Sequence, residues 1–362
     1  MKISIIVPTY KERENIPKLL DKILKIFKNH NINGEIIIVD DDSQDGTIEV
    51  VNEYRKNNPV KIVVRKQEKG LASACIKGFK SAKGDILIVM DADLQHPPEK
   101  IPELINAIKN GADVSIGSRY VEGGSIGAFS IGRKIVSNGA SRLANLLFSE
   151  IKDIKDKESG FFAFRKNVIN GVKLKPKGYK ILLEILVLGK YNRVEEIGYK
   201  FGKRTSGKSK LGMRIIFSYV SHLISLLWSS GKLIKLIKFC FVGFLGIGVN
   251  LGILYFLTNA GLHYMISGAI SIEVSVLANF FLNKTWTFKE EAKQIRLSEA
   301  IVKDHATRFI GILINYASLY IFTEIFNIYY IISMLIGVII STFWNFTGNI
   351  KWVWKSEKKC KD

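Results

Sequence analysis

Along roughly the first 200 residues, short apolar runs alternate with stretches whose apolar positions recur at helical spacing. Ile3–Val7, Glu35–Val39, Val60–Val64, Ile86–Met90 and Val114–Gly117 are rich in Ile and Val and bounded by polar or turn residues, the pattern of buried strands. Between them Ile16–Phe27, Thr47–Arg55, Leu71–Ala82 and Ile101–Lys109 read as helices, with Pro98 and Glu99 marking a helix start ahead of the last. Near-continuous apolar strands with intervening helices predict an α/β domain built on a mostly parallel sheet covered on both faces. Beyond residue 233 the pattern changes. Phe239–Thr258, Ile266–Trp286, Phe309–Phe326 and Tyr330–Val353 are apolar stretches near the length that crosses a bilayer as a helix. They leave no polar face for water, which argues against a soluble bundle and predicts an all-helical, four-span membrane domain. The intervening Leu211–Leu233 is apolar but interrupted by Arg214, His222 and five serines, and is expected to lie on the membrane surface as one or two amphipathic helices. The division is therefore 1–210, 211–233, 234–355 and a tail of 356–362.

Composition fits this segregation: 24% charged residues coexist with a mean hydropathy of +0.14. The net charge of +20 is compatible with nucleic acid, an anionic bilayer or phosphorylated substrates, so its location decides. The densest basic run, Lys203-Arg204-Thr205-Ser206-Gly207-Lys208-Ser209-Lys210, stands just before the apolar half and lacks stacking aromatics at suitable spacing. Membrane lipids or a lipid-borne phosphate are the expected partners, and nucleic acid is not. Lys232, Lys235 and Lys238 precede the first span, a basic connection separates the second from the third, and lysines follow the fourth; the two short turns carry no Lys or Arg. The positive-inside rule then puts both termini and the first domain on the cytoplasmic side of a multi-pass cell-membrane protein. Three cysteines without metal-ligand spacing exclude a disulfide framework or zinc site. The N-terminal apolar run breaks at Pro8, too early for a signal peptide.

Acidic residues gather where ligands bind in such sheets, at the strand C-termini. Asp40-Asp41-Asp42-Ser43-Gln44-Asp45-Gly46-Thr47 follows one strand and Asp91-Ala92-Asp93-Leu94-Gln95-His96-Pro97 another. Asp91, Asp93 and Gln95 offer hard oxygen ligands suited to Mg²⁺ or Mn²⁺ bridging a diphosphate. The glycine and terminal glutamate of an EF-hand are absent, and the first strand runs into Pro8-Thr9-Tyr10-Lys11-Glu12 with no dinucleotide-binding glycine pattern.

These segments, with Gly117-Ser118-Arg119-Tyr120 and Ser159-Gly160-Phe161, resemble the ordered motifs of family 2 glycosyltransferases. The similarity is greatest to the polyprenyl-phosphate glycosyltransferases, and above all to the dolichyl-phosphate mannose synthase group. It runs from residue 1 to about 215. The resemblance implies a GT-A type, Rossmann-like domain in which Pro8, Tyr10, Glu12, Val39 and Asp41 meet the donor's base and ribose. Asp91, Ala92, Asp93 and Gln95 would meet metal and diphosphate, the metal ligands being Asp91, Asp93 and Gln95. Asp93, Arg119, Arg133 and Arg204 are the expected catalytic residues; Arg119, Arg133, Ser137, Arg204, Lys208 and Lys210 would receive the acceptor phosphate. Asp156-Lys157-Glu158-Ser159-Gly160 departs from the family's Asp-x-x-Ser-Gly loop in its charged central pair. The four spans resemble the GtrA-like membrane domain, including Asn283-Lys284-Thr285-Trp286-Thr287-Phe288.

The implied reaction is inverting transfer of mannose from GDP-mannose to dolichyl or another polyprenyl phosphate, with Mg²⁺ or Mn²⁺. The phosphate acceptor is already anionic and needs no strong general base. Transfer from a UDP-sugar to undecaprenyl phosphate is the alternative within the class; a flippase or scaffold for lipid-linked sugars is the alternative outside it, although no inverted repeat is apparent. A processive polysaccharide synthase is disfavoured because no Gln-x-x-Arg-Trp motif follows the acidic site. Glu273, Glu324 and the asparagines of the spans are expected to join helices or line a path, and a homo-oligomer through the membrane half stays open.

Overall fold

The computed structural model describes residues 1–126, 144–145, 147–175, 180–202, 213–293 and 295–354. It divides into two units, Met1–Ser230 and Gly231–Asp362.

The first unit is built on a seven-stranded sheet of β1 (Ile3–Thr9), β2 (Gly34–Asp40), β3 (Val60–Val64), β4 (Ile86–Val89), β5 (Val114–Ser118), β6 (Phe162–Arg165) and β7 (Val194–Gly198). The order is β3-β2-β1-β4-β6-β5-β7. β1, β2, β3 and β4 run parallel, whereas β6 is antiparallel to both β4 and β5. The five strands read from the sequence are all present. Strands β6 and β7 were missed: Phe162-Ala-Phe-Arg is short, and Val194-Glu-Glu-Ile-Gly is half-buried with two acids.

The sheet buries both faces. Ile5, Val7, Ile36, Ile38, Ile86 and Ile88 pack with Leu19, Leu20 and Ile23 of α1 (Ile16–Asn29) and Leu104 and Ile108 of α4 (Ile101–Lys109). Ile6, Ile37, Val39, Leu87 and Val89 point the other way, onto α3 (Leu71–Ser81) and α5 (Ile181–Leu188). Helix α2 (Thr47–Arg55) covers the β2–β3 edge. This two-sided burial is why β1, β2 and β4 read as nearly continuous apolar runs. Helix α6 (Met213–Ser229) is one continuous helix, and its Leu223 and Leu226 belong to the core of the first unit while Ile224 and Trp228 are exposed. The boundary thus falls at Ser230–Gly231, after the segment expected to stand between the domains.

Among its described residues the second unit holds four helices long and apolar enough to span a membrane: α7 (Lys232–Asn259), α8 (Tyr264–Leu282), α9 (Leu297–Tyr320) and α10 (Tyr330–Gly348). Three begin earlier than their apolar stretches: α7 takes in the three lysines, α8 starts at Tyr264 rather than Ile266, and α9 starts at Leu297 rather than Phe309. They pair as two hairpins, α7–α8 and α9–α10. Polar side chains bind each hairpin: in the first Ser271 donates to Asn250 Oδ1 (2.9 Å) and Ser275 to the carbonyl of Gly246 (2.8 Å), and in the second Trp344 Nε1 donates to the Thr307 carbonyl (3.2 Å) and Asn349 Nδ2 to Asp304 Oδ1 (3.2 Å). With no hydrophobic drive in lipid, such polar contacts and close glycine packing hold helices together.

Candidate active site

The loops leaving β1, β2 and β4 enclose a cavity of about 510 Å³. Pro8, Tyr10, Glu12, Asp41, Asp91, Ala92 and Asp93 line it, all of them expected from the sequence; so do Lys69, Gly70, Leu71 and Ala74, which were not. Three side-chain-bearing residues of these loops sit in the left-handed region: Lys11 (φ 61°), Asp42 (φ 58°) and Leu94 (φ 59°). Such conformations cost about 1 kcal/mol or more each and persist only where neighbours impose them. Here the Lys11 N–H donates to Ser43 Oγ (2.8 Å), the Glu12 N–H to Thr47 Oγ1 (3.1 Å) and the Asp41 N–H to the Thr9 carbonyl (3.1 Å).

The aspartates of the first acidic run have separate tasks. Asp40 is buried and accepts from Thr9 Oγ1 (2.7 Å) and the Ser43 N–H (2.7 Å), tying β1 to the turn. Asp45 accepts from the Thr47 N–H and hydroxyl at the start of α2. Burial works to raise the Asp45 pKa, but these bonds and one from Arg13 hold it below the usual carboxylate range. Asp41 Oδ1 accepts from Arg65 Nε (2.8 Å) and Nη2, and its Oδ2 from the Gly70 N–H (2.7 Å). Arg65 is 6% exposed and also reaches Ser73 Oγ and the Gly70 carbonyl. Gly70 stands at φ +128°, a conformation that side-chain-bearing residues avoid. Asp41 therefore shapes the pocket wall through Arg65 and Gly70, and the same loop sets the Lys69 ammonium 5.5 Å from the ring centre of exposed Tyr10.

In the second run, Asp91 and Asp93 present carboxylates to the cavity. The Asp91 N–H donates to His96 Nδ1 (3.1 Å), and the Gln95 N–H to Asp93 Oδ1 (3.2 Å). His96 is buried, stacked on Phe161 (5.5 Å between centroids) and edged by Tyr199 and Phe201. Burial pushes its pKa down to about 4, so the imidazole is a neutral acceptor that fixes the loop. A Cβ on Gly160 would come within 3.1 Å of Asp91 Oδ2 and 3.0 Å of His96 Cε1; the bare glycine keeps this side of the carboxylate open. Among the described residues no cluster of three His, Cys, Asp or Glu forms a self-sufficient metal site. Asp91 and Asp93 do offer the cavity hard oxygen atoms of the kind that a divalent ion takes when a ligand supplies the rest. Gln95 lies off the cavity lining, with Nε2 donating to the Gly202 carbonyl (3.1 Å).

Two further expectations look different in place. Val39 is fully buried with its side chain in the core, leaving only its backbone for a ligand. Arg119 makes a bidentate pair with Asp156, Nε–Oδ2 2.8 Å and Nη2–Oδ1 2.8 Å, and its N–H donates to the same carboxylate (3.0 Å). The guanidinium also lies 5.6 Å from the rings of Tyr120 and Phe201. Burial disfavours its charge, but the Asp156 bonds outweigh that and keep Arg119 protonated. The buried Asp156 is thus the anchor of Arg119, and the Lys157 beside it turns inward onto the Ile154 carbonyl. Arg133, Ser137, Arg204, Lys208 and Lys210 lie outside the described residues.

Residues 4–172 match glycosyl transferase family 2, and residues 238–354 match the GtrA/DPMS transmembrane domain. The chain is 45% identical to the dolichol-phosphate mannosyltransferase of Pyrococcus furiosus over 341 residues, 94% of this chain and 96% of that one. It is 37% identical to the enzyme of the same name from Mycosarcoma maydis over 62% of this chain and 78% of that one. For Saccharomyces cerevisiae the figures are 38%, 61% and 85%. Among solved structures, glucosyl-3-phosphoglycerate synthase from Mycobacterium tuberculosis is similar at 19% identity over 64% of this chain and 80% of that one, with a TM-score of 0.49. With 45% identity across nearly its whole length and both family matches in order, the chain belongs to the polyprenyl-phosphate glycosyltransferases of glycosyl transferase family 2, with a C-terminal GtrA-like membrane domain.

Proposed function

We propose that this enzyme transfers mannose from GDP-mannose to dolichyl or a related polyprenyl phosphate at the cytoplasmic membrane face, giving a β-linked product. The observation that carries the reading is the cavity at the β1, β2 and β4 ends where Tyr10, Glu12, Asp41, Asp91 and Asp93 converge. Its volume suits a small-molecule ligand, and its strained, cross-braced loops suit a preorganised donor site. The names of the relatives support the sugar and the lipid.

In this reading the base and ribose lie along the Pro8–Glu12 and Arg65–Gly70 loops, with Lys69 as an additional cation facing the donor. Asp91, Asp93 and Gln95 would hold Mg²⁺ or Mn²⁺, which when bound neutralises the departing diphosphate. His96 and Gly160 keep the Asp91 loop in place and uncrowded. Arg119, oriented by Asp156, screens the two phosphates that must approach one another, together with Arg133 and Arg204 from segments not described. The protein's contribution is positional and electrostatic. The acceptor phosphate attacks the anomeric carbon in a single displacement, which inverts it. Helix α6, with Ile224 and Trp228 exposed on one face and Leu223 and Leu226 buried on the other, suits a helix resting on the bilayer surface.

The test is transfer of radiolabelled sugar by the purified chain. GDP-mannose, UDP-glucose and UDP-N-acetylglucosamine are each offered with short polyprenyl phosphates, with and without Mg²⁺ or Mn²⁺. Mannose transfer that disappears in Asp93→Ala supports the proposal. Preference for a UDP-sugar, or an α-linked product by NMR, overturns it.

A further inference from the structure

The Gln95 amide, expected from the sequence to meet a metal, has a further task in the fold. Its Nε2 lies 3.1 Å from the Gly202 carbonyl, and the Gly202 N–H donates back to the Gln95 carbonyl (3.0 Å). A carbonyl only accepts, so the amide nitrogen must face Gly202, and the amide oxygen is turned away from it. The two backbones are in close contact: a Cβ on Gly202 would come within 3.3 Å of Gln95 Cα and of the Leu94 carbonyl oxygen. Leu94, in the left-handed region at φ 59°, turns the loop of Asp91 and Asp93 into this contact. Gln95 and Gly202 thus form a two-bond joint between segments 107 residues apart.

The segment on the far side of the joint supports Arg119. Beyond β7 the chain runs through residues 199–202 beside the loop that follows β5. The Tyr199 N–H donates to the Ser118 carbonyl (3.0 Å), the Ser125 N–H to the Tyr199 carbonyl (3.0 Å) and the Phe201 N–H to the Ser125 carbonyl (2.9 Å). The Phe201 ring, one residue before the joint, stands 5.6 Å from the Arg119 guanidinium carbon and 5.8 Å from the His96 ring. Arg119 Nε and Nη2 are taken by Asp156, so among the described residues Nη1 is the nitrogen left to meet a phosphate. Asp156 fixes one edge of the guanidinium and Phe201 packs against the group. A planar cation held in both ways keeps one orientation.

We propose that Gln95 is a positioning residue for the acceptor phosphate: through Gly202 it seats Phe201 against Arg119, and so links the loop of Asp91 and Asp93 to that arginine. That Arg119 meets the acceptor rests on the function proposed above. The joint requires an amide. Gln95→Glu keeps a hard oxygen for a divalent ion but sets an anionic oxygen against the Gly202 carbonyl, so it separates the joint from metal ligation.

The experiment uses the full chain in nanodiscs and two variants, Gln95→Glu and Gly202→Ala. In metal-free protein, hydrogen exchange read by mass spectrometry should be about tenfold faster in the peptide covering residues 199–202 in both variants, while the β1 and β2 peptides stay unchanged and report that the domain is folded. KM for a short polyprenyl phosphate should rise about tenfold in each, and no further in the double variant, because a single joint is lost only once. GDP binding in the presence of Mn²⁺, measured by calorimetry, should stay within about twofold of the parent. Unchanged exchange in Gln95→Glu overturns the proposal, and so does faster exchange with an unchanged acceptor KM. A raised acceptor KM that comes with loss of Mn²⁺-dependent GDP binding also overturns it, since Gln95 would then act through the metal alone. If the parent chain transfers nothing to polyprenyl phosphate while exchange responds as expected, the function proposed above fails and the joint between the two segments stands.

Discussion

Asp41 was expected to touch the donor directly, yet both of its carboxylate oxygens are occupied by Arg65 and Gly70. Asp41→Ala removes three charge-assisted bonds and strands a guanidinium that is 4% exposed. Breaking one side of a buried ion pair costs about 3–5 kcal/mol. Arg65 keeps its bonds to Ser73 and the Gly70 carbonyl, which holds the loss near the lower end, about 3 kcal/mol. Asp41→Ala with Arg65→Leu removes the stranded charge and should recover at least about 2 kcal/mol of it, because a buried pair exchanged for apolar groups is close to neutral. Donor affinity should not recover, because Gly70 and Lys69 lose their brace in both variants. Thermal unfolding of the first unit and KM for the donor measure the two effects. Equal destabilisation of the single and double variants would refute the ion-pair argument. A raised KM with unchanged stability in Asp41→Ala would mean that Asp41 acts on the nucleotide itself.

Three further outcomes are expected. The His96 imidazole has a folded pKa of about 4 against an ordinary 6.5, so stability is full above pH 6.5 and falls by about 3 kcal/mol as pH drops to 4, when only the unfolded chain takes up the proton; His96→Phe should flatten that slope in a pH series of melting temperatures, and an unchanged slope would count against it. Gly160→Ala should lower kcat about tenfold and raise the divalent-ion concentration needed, with little change in melting, because its Cβ meets Asp91 Oδ2 and His96 Cε1. Asn349 donates to Asp304 and the Asn345 carbonyl and accepts from Trp354, whereas the Asn283 amide oxygen is buried with no partner among the described residues; Asn349→Leu should therefore cost about 2–4 kcal/mol and Asn283→Leu less than about 1, measured by unfolding in mixed micelles.

The parts of this molecule legible in the sequence are those where a single residue type has a single cause. A strand buried on both faces is Ile, Val or Leu at most of its positions, so β1, β2 and β4 could be read directly and the acidic runs after β2 and β4 located. β6 and β7 escaped because Phe162–Arg165 spans four residues and β7 carries Glu195 and Glu196, whose side chains bond neighbouring groups instead of breaking the strand. The site divides along the same line. Asp91 and Asp93 could be placed at the cavity because acids that directly follow an apolar strand stand at its C-terminal end. The bonds of Asp41 could not be read in the same way, since nothing in Asp-Asp-Asp tells which carboxylate braces the turn and which meets an arginine 24 residues away. Lys69 was hidden for the related reason that its placement depends on that ion pair. The likeness of the two membrane hairpins is in the sequence as well, with Asn279 and Asn283 recurring 66 residues on as Asn345 and Asn349, but apolar residues between them mask the period. What makes it visible is three-dimensional: Asn279 fills the space over Gly246 as Asn345 fills that over Gly311.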